Sequence, residues 1–215
     1  MSQAPSDRTQ VKRYNWLAKY DQETIYAILD AMPHCHVAYV HEGKPVVTPT
    51  MQWRDGDRIF WHGSAASRMM RVTESHDVCL CVSLIDGLVL ARSAYNYNLN
   101  HRSVMVFGVA KCVTDPDEKY EQLKRFVNHI VPNQWDRLRP VNDRELKATT
   151  VMSMSLAEAS AKLRTGHTED DEADYDFPVW CGIVPVSLRV DPPIADPRNL
   201  PGVEMPDDVL KFGIG

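Results

Sequence analysis

A chain of 215 residues with 44% apolar and 25% charged side chains has the size and balance of one large folded domain with its own core. Twenty-four Lys and Arg against 29 Asp and Glu leave a formal charge of -5. This excludes a general basic field for gathering nucleic acid or an anionic membrane surface. The longest apolar stretch, Val78 to Ile85, is broken by Ser83 and ends at Asp86, well short of the ~20 residues of a membrane-spanning helix.

Residues 1–20 are polar, lack the hydrophobic region of a secretory signal, and read as an N-terminal arm. A single domain over 21–190 follows, and then a Pro-rich tail, 191–215. Five cysteines at no framework spacing read as reduced thiols of a cytoplasmic protein.

From Asp21, a possible N-cap, Ile25, Ile28, Leu29 and Met32 recur at helical spacing until Pro33. Strands are then expected at His36–Val40, Pro45–Trp53 and Asp57–His62, with turns at Glu42-Gly43 and Asp55-Gly56. Asp86-Gly87 between Val78–Ile85 and Leu88–Tyr95 predicts a further hairpin, because Asp-Gly suits the positive φ of tight turns. Val78–Ile85 and Val104–Val113 are apolar on both faces, which suggests an antiparallel sheet closed into a small barrel. A helix is expected from Ser64 to Glu74. A longer one follows Asp115-Pro116-Asp117-Glu118, with Tyr120, Leu123, Phe126, Val127 and Ile130 as its stripe. Asn142–Glu145 caps a short helix, Thr149–Leu156 alternates like a strand, 166–176 is an acidic loop, and Val179–Val190 is a last strand. The expected class is α+β, without internal repeats.

Chemistry concentrates in three places. In Asp57–Arg68 a strand ends at His62, Gly63 permits a sharp turn, and a helix opening at Ser64 would point free N–H groups outward. Ser64, Ser67 and the fork of Arg68 could then hold a phosphate. The bland alternative is a capping serine and a solvated arginine. Arg92–Ser103 is too polar for a simple connection and suits either a ligand or a wet subunit contact. In Pro45–Trp53, Pro49 marks an edge or bulge whose backbone groups are free for a heterocycle. His34-Cys35-His36 has no second cluster to complete a zinc site. The usual hydrolase, zinc-protease, dinucleotide and P-loop signatures are absent, although a triad is recognised by geometry and not by order.

The chain resembles the pyridoxamine 5'-phosphate oxidase-like FMN-binding split-barrel superfamily, in its nitroimidazole-resistance-type or flavin-nucleotide-binding subgroup. The likeness runs from about Tyr26 to Val186. It is carried by Phe60-Trp-His-Gly-Ser-Ala-Ala-Ser-Arg68, Asp86-Gly-Leu-Val-Leu-Ala-Arg-Ser93, Asn100-His-Arg-Ser-Val104, Glu145-Leu-Lys-Ala-Thr-Thr150, Glu158-Ala-Ser-Ala-Lys-Leu-Arg164 and the Trp180-Cys-Gly-Ile-Val-Pro185 segment. The resemblance implies a six-stranded antiparallel split barrel with peripheral helices, a homodimer, and FMN in clefts between the subunits. It places Trp61, His62 and Gly63 along the flavin, Ser64, Ser67 and Arg68 on its phosphate, and Thr50, Met51 and Gln52 at the ring. Arg102 is implied as a second cation, and Lys162, Arg164 and Trp180 as part of the cleft or its support. The expected activity is FMN-dependent oxidoreduction of a small molecule, with His62 as a proton donor or as a structural hydrogen-bonding group. The alternatives are a flavin- or haem-binding module without turnover and, further off, a hydrolase. Trp135-Asp-Arg-Leu-Arg-Pro140 lies far from the chain end, where pyridoxamine phosphate oxidase grips its substrate, which argues against vitamin B6 oxidation.

Overall fold

A computed structural model of the chain describes residues 3–215. Residues 3–20 are docked. Arg8 pairs with Asp77 (2.9 Å) and with Glu158, Thr9 is buried, and β1 (Ala18–Lys19) adds to the sheet. Helix α1 (Gln22–Ala31) starts where the Asp21 carboxylate accepts from the Thr24 N–H at 2.9 Å. It buries Ile25, Ile28 and Leu29, the stripe that its spacing predicts.

Strands β2 (His34–His41) and β3 (Lys44–Asp55) form a hairpin turned by Glu42 and Gly43 at φ +50° and +73°, the two left-handed residues of a type I′ turn. Asp55-Gly56 turns β3 into β4 (Arg58–Ser64). Helix α2 (Arg68–Thr73) leads to β5 (Asp77–Leu90), then β6 (Asn98–Val109) and β7 (Lys111–Cys112). Helix α3 (Pro116–Ile130) is capped by Asp115, which accepts from the N–H groups of Asp117 and Glu118. Helix α4 (Asp143–Ala148) carries the Asn142/Glu145 capping box. Strands β8 (Thr149–Ser155), β9 (Ala159–Arg164) and β10 (Gly182–Pro185) complete the chain's regular elements.

The class is α+β, and every pairing is antiparallel. The sheet holds ten strands rather than six, in the order β1-β9-β6-β5-β2-β3-β4-β8-β7, with β10 on β5. One residue, Ala110, separates β6 from β7, so the run that pairs with β9 goes on to pair with β8. One core cluster joins the sheet to α1 and α2, through Ile25, Ile28 and Leu29 of α1 and Met69 and Met70 of α2. A second, with Trp53, Phe60, Val113, Leu123 and Val151, lies between the sheet and α3.

Several sequence expectations are corrected. Asp86-Gly87 is not a hairpin. β5 runs through it as one strand, with a bulge against β6 between Ile85 and Gly87. A Cβ on Gly87 would lie 3.1 Å from the Val184 carbonyl oxygen, so the glycine serves the close approach of β10. The last strand is only Gly182–Pro185. The two-sided apolar runs bury one face, with Val78, Leu80, Val82, Val104 and Val106 inward. Ile85, Met105 and Val109 on the other face are exposed. The tail turns at Asp196–Asn199 and Leu200–Val203 before a 3-10 turn at Asp207–Lys211, where Arg137 and Lys211 hold the Asp208 carboxylate. Among the described residues no helix is long and apolar enough to cross a membrane.

Candidate functional site

β3 and β4 are paired only from Gln52↔Trp61 to Asp55↔Arg58. Beyond Trp61, β4 continues against β8 as far as Ser64↔Thr149, while β3 runs back from Met51 against β2 alone. The two strands part like the arms of a V. The β3 lip, where Pro45, Pro49, Thr50 and Met51 lie, has no strand partner on the β4 side, a place where proline is tolerated. Thr50 and Met51 are half-buried there. Gln52 and Trp61 face the core and are 1% and 0% exposed. The Gln52 amide donates to the carbonyls of Leu29 (2.6 Å) and Met32 (2.8 Å), fastening the end of α1. Both side chains are thus buried beside the V, and Gln52 Oε1 and Trp61 Nε1 are left without a hydrogen-bond partner.

The opposite lip is the corner at residues 63–68. Gly63 lies within β4 and makes no turn; a Cβ there would come 2.5 Å from Met70 Cε. The glycine therefore lets α2 pack on the strand. Gly63→Ala is expected to destabilise by about 1 kcal/mol, since a flexible methionine can give way; a chemical melt reads this directly. The helix opens at Arg68, not at Ser64, and spans six residues. The N–H groups of Ala65, Ala66 and Ser67 are already used by Ala148 O (2.8 Å), Ser64 Oγ (3.2 Å) and Ser64 O (2.8 Å). An anion at this corner would meet the Ser67 hydroxyl, which makes no capping bond, and the exposed Arg68 guanidinium.

Alternation along β4 turns His62 away from Trp61, toward α3. There it lines a cleft of about 400 Å³ between β4, α3 and residues 135–141. Its ring lies 4.5 Å from Phe126 and 5.8 Å from Trp53, centroid to centroid. Its Nδ1 is buried without a hydrogen-bond partner, and burial pushes its pKa down. Leu123, Phe126, Val127 and Leu138 make apolar walls. The Trp135 indole donates to Tyr120 Oη at 3.1 Å, tying the outer wall to α3. At the mouth Arg139 pairs with Glu145, and that bond, with the Asn142 N–H, brings the Glu145 carboxyl down to about 2.

A second cleft, about 420 Å³ and polar, gathers Lys162, Arg164 and His101 with the rings of Tyr14, Trp16 and Tyr95. Lys162 and Arg164 thus come together, whereas Trp180 lies elsewhere, exposed and packed over Gly182. Arg102, implied as a second cation for the flavin, is held by Asp86 through Nε and Nη2, the latter at 2.7 Å.

The acidic run is not wholly solvated. Asp170 is buried and accepts from the Arg92 N–H (3.2 Å), Arg92 Nη1 (3.1 Å) and Asn96 Nδ2 (3.0 Å). Burial alone would raise its pKa, but the Asn96 and Arg92 hydrogen bonds outweigh it and hold the carboxyl below its ordinary value. A depressed carboxylate stabilises the fold above its unfolded pKa of about 3.9 and loses that contribution as pH falls. Calorimetry of Asp170→Asn should therefore show a lower melting temperature at pH 7 and a shallower loss between pH 5 and 3 than the parent. Identical slopes would show that Asp170 does not control acid stability.

Burial pushes the Cys35 and Cys79 thiols up to about 12 and about 11, so neither is a nucleophile at neutral pH. Among the described residues no group of three or more His, Cys, Asp or Glu gathers. Sequence reasoning missed the cleft walls. Phe126 and Val127 belong to a stripe read wholly as core, yet α3 buries only Gln122 and Leu123. The aromatic and cationic segment Trp135–Pro140 was the available signal.

No curated protein matches the chain. The family model for pyridoxamine 5'-phosphate oxidase matches residues 21–163. Among solved structures, the flavocytochrome Anf3 from Azotobacter vinelandii is 57% identical over 100% of both chains, with a TM-score of 0.97. The FAD and haem binding protein from Mycobacterium smegmatis is 28% identical over 92% of this chain and 97% of that one, with a TM-score of 0.87. A protein assigned to 5-nitroimidazole antibiotic resistance in Bacteroides thetaiotaomicron is 21% identical over 67% and 85%, with a TM-score of 0.55, a likeness of fold alone. With the family match spanning most of the sheet and both lips of the V, the chain belongs to the pyridoxamine 5'-phosphate oxidase family.

Proposed function

We propose that the chain is a redox protein of the flavocytochrome kind, holding a flavin nucleotide in the V between β3 and β4. The observation that carries this reading is 57% identity over the full length of a flavocytochrome. The V supports it with an open backbone edge on one lip and a serine–arginine corner on the other. In this reading six strands close the barrel: β2, β3, β4, β8, β6 with its continuation β7, and β5. Ser67 and Arg68 bind phosphate, and the Thr50–Met51 backbone orients the heterocycle. Arg102, charge-compensated by Asp86, acts as a fixed support. Flavin, when bound, supplies hydride and single-electron transfer, and the protein positions and tunes it.

A homodimer completes the V from a second copy. Support comes from the open sheet face, where Val47, Ala38, Cys79 and Phe107 form one row across four strands in register. Five free cysteines fit a reducing compartment such as the cytoplasm.

The test is to add FMN and FAD separately to purified protein and to record the visible spectrum after gel filtration. Retained flavin bands are expected in the dimer fraction. Retention of FMN matches the sequence expectation, and retention of FAD matches the relative that binds FAD and haem. Retention of neither overturns the reading. Bound flavin that cycles between NAD(P)H and a quinone, nitroaromatic or oxygen faster than free flavin marks an oxidoreductase. Cycling no faster marks a binding module.

A further inference from the structure

We propose that the cleft beneath α3 is a haem site in which His62 is the protein's iron ligand and Arg139 pairs with a propionate. The inference rests on the flavocytochrome reading above and says where the second cofactor sits.

Haem needs an apolar slot for its macrocycle, one fixed ligand, and a cation near the mouth for its carboxylates. The cleft supplies each of them. Its volume, about 400 Å³, is within the range of cofactor sites that leave one edge in solvent. Leu123 and Phe126 on α3 and Leu138 across from them form the two apolar walls. His62 stands on a strand, the most rigid kind of support, wedged between Phe126 and Trp53. A ring nitrogen buried with no partner is costly in a finished core, and a metal bond through the imidazole would account for a histidine held in this apolar place. Arg139 lies at the rim, mostly exposed and with Glu145 as its ion-pair partner, so it can turn to a propionate without unfolding anything.

Other histidines fit worse. His76 Nδ1 lies 2.8 Å from the Glu74 carbonyl oxygen and the residue is exposed. His101 shares the polar cleft with Lys162 and Arg164, which suits an anion rather than a porphyrin face. His34 and His36 meet edge to face, exposed on β2. The lining of the α3 cleft includes no second imidazole, thiol or thioether, so His62 is the one such group it would offer to iron. The cleft also adjoins the phosphate corner, because Thr149 on its wall pairs in register with Ser64. Both cofactors would then lie along the same end of β4.

The experiment is titration of the full-length, flavin-loaded protein with hemin, read by absorption and electron paramagnetic resonance. Flavin content is measured in the same samples. The parent is expected to give a stoichiometric Soret band of a high-spin ferric haem that binds carbon monoxide once reduced. His62→Ala is expected to bind hemin at least tenfold more weakly, to keep its flavin, and to regain the parent spectrum when imidazole is added. Arg139→Gln should weaken hemin binding several-fold without changing the spin state. A parent-like haem spectrum in His62→Ala overturns the site and leaves the flavocytochrome reading standing. Loss of flavin together with haem in that variant, with circular dichroism unchanged, moves His62 to the flavin and also overturns the assignment. A parent that retains flavin but never binds hemin overturns the haem site and the flavocytochrome reading together, leaving a flavoprotein.

Discussion

Arg68→Ala is expected to weaken flavin binding by about 1.5–3 kcal/mol, the worth of a hydrogen bond to a charged group. That is a roughly tenfold to 150-fold rise in Kd. The corner's own architecture makes the arginine decisive. Three consecutive N–H groups are spent inside the turn, and a helix of six residues adds little dipole. The phosphate charge must therefore be met chiefly by side chains. Arg68→Lys keeps the charge but not the planar fork and should fall between parent and alanine. Because the group is exposed, the effect should shrink as salt is raised. Fluorescence quenching titrations of flavin against the three proteins at two ionic strengths decide this. Equal affinities would place the phosphate elsewhere, with the clustered cations Lys162 and Arg164 as the next candidates.

What the sequence reveals and what it hides divide along physical lines. Asp21, Asp115 and the Asn142/Glu145 box each cap the helix that their spacing predicts, because capping is local chemistry. Glu42-Gly43 and Asp55-Gly56 turn hairpins for the same reason. The same dipeptide fails at Asp86-Gly87, where tertiary neighbours, β10 on one side and Arg102 on the other, decide the backbone. At the candidate site, the motif Phe60–Arg68 finds the right corner of the fold. It cannot tell that Trp61 and His62 look in opposite directions, since that follows from which strand face meets the core. Arg102 reads as a second cation for the flavin, and only the fold shows Asp86, sixteen residues away in sequence, beside it. The α3 cleft is hidden most fully. A helix stripe looks alike whether it is covered or left half-open, and only the packed structure shows that Phe126 and Val127 stop short of closure.

Trp53 should prove the most consequential core residue on the site's side of the sheet. It is 1% exposed, stacks on Phe60 at 5.8 Å and meets Phe126 of α3 at 5.1 Å. Its indole N–H donates to Gln122 Oε1 at 2.9 Å, and the Gln122 amide in turn donates to Asp55 Oδ2 at 2.9 Å. One side chain thus joins β3, β4 and α3 through both apolar contact and a buried hydrogen-bond relay. Trp53→Ala removes the ring and leaves Gln122 Oε1 without its donor, so a loss of about 3–5 kcal/mol is expected. That is a large share of the ~5–15 kcal/mol that usually holds a domain. Trp53→Phe keeps most of the packing and isolates the hydrogen bond, for which about 1–3 kcal/mol is expected. Urea unfolding separates the two, with the midpoint falling and the slope unchanged if the native fold persists. A loss under about 1 kcal/mol in the alanine variant would mean that α3 is not anchored through this residue. With α3 loosened, the wall carrying Phe126 should drift from His62. Trp53→Ala should therefore weaken hemin binding more than flavin binding, since Trp53 touches Phe60, His62, Phe126 and Gln122 but neither Ser67 nor Arg68.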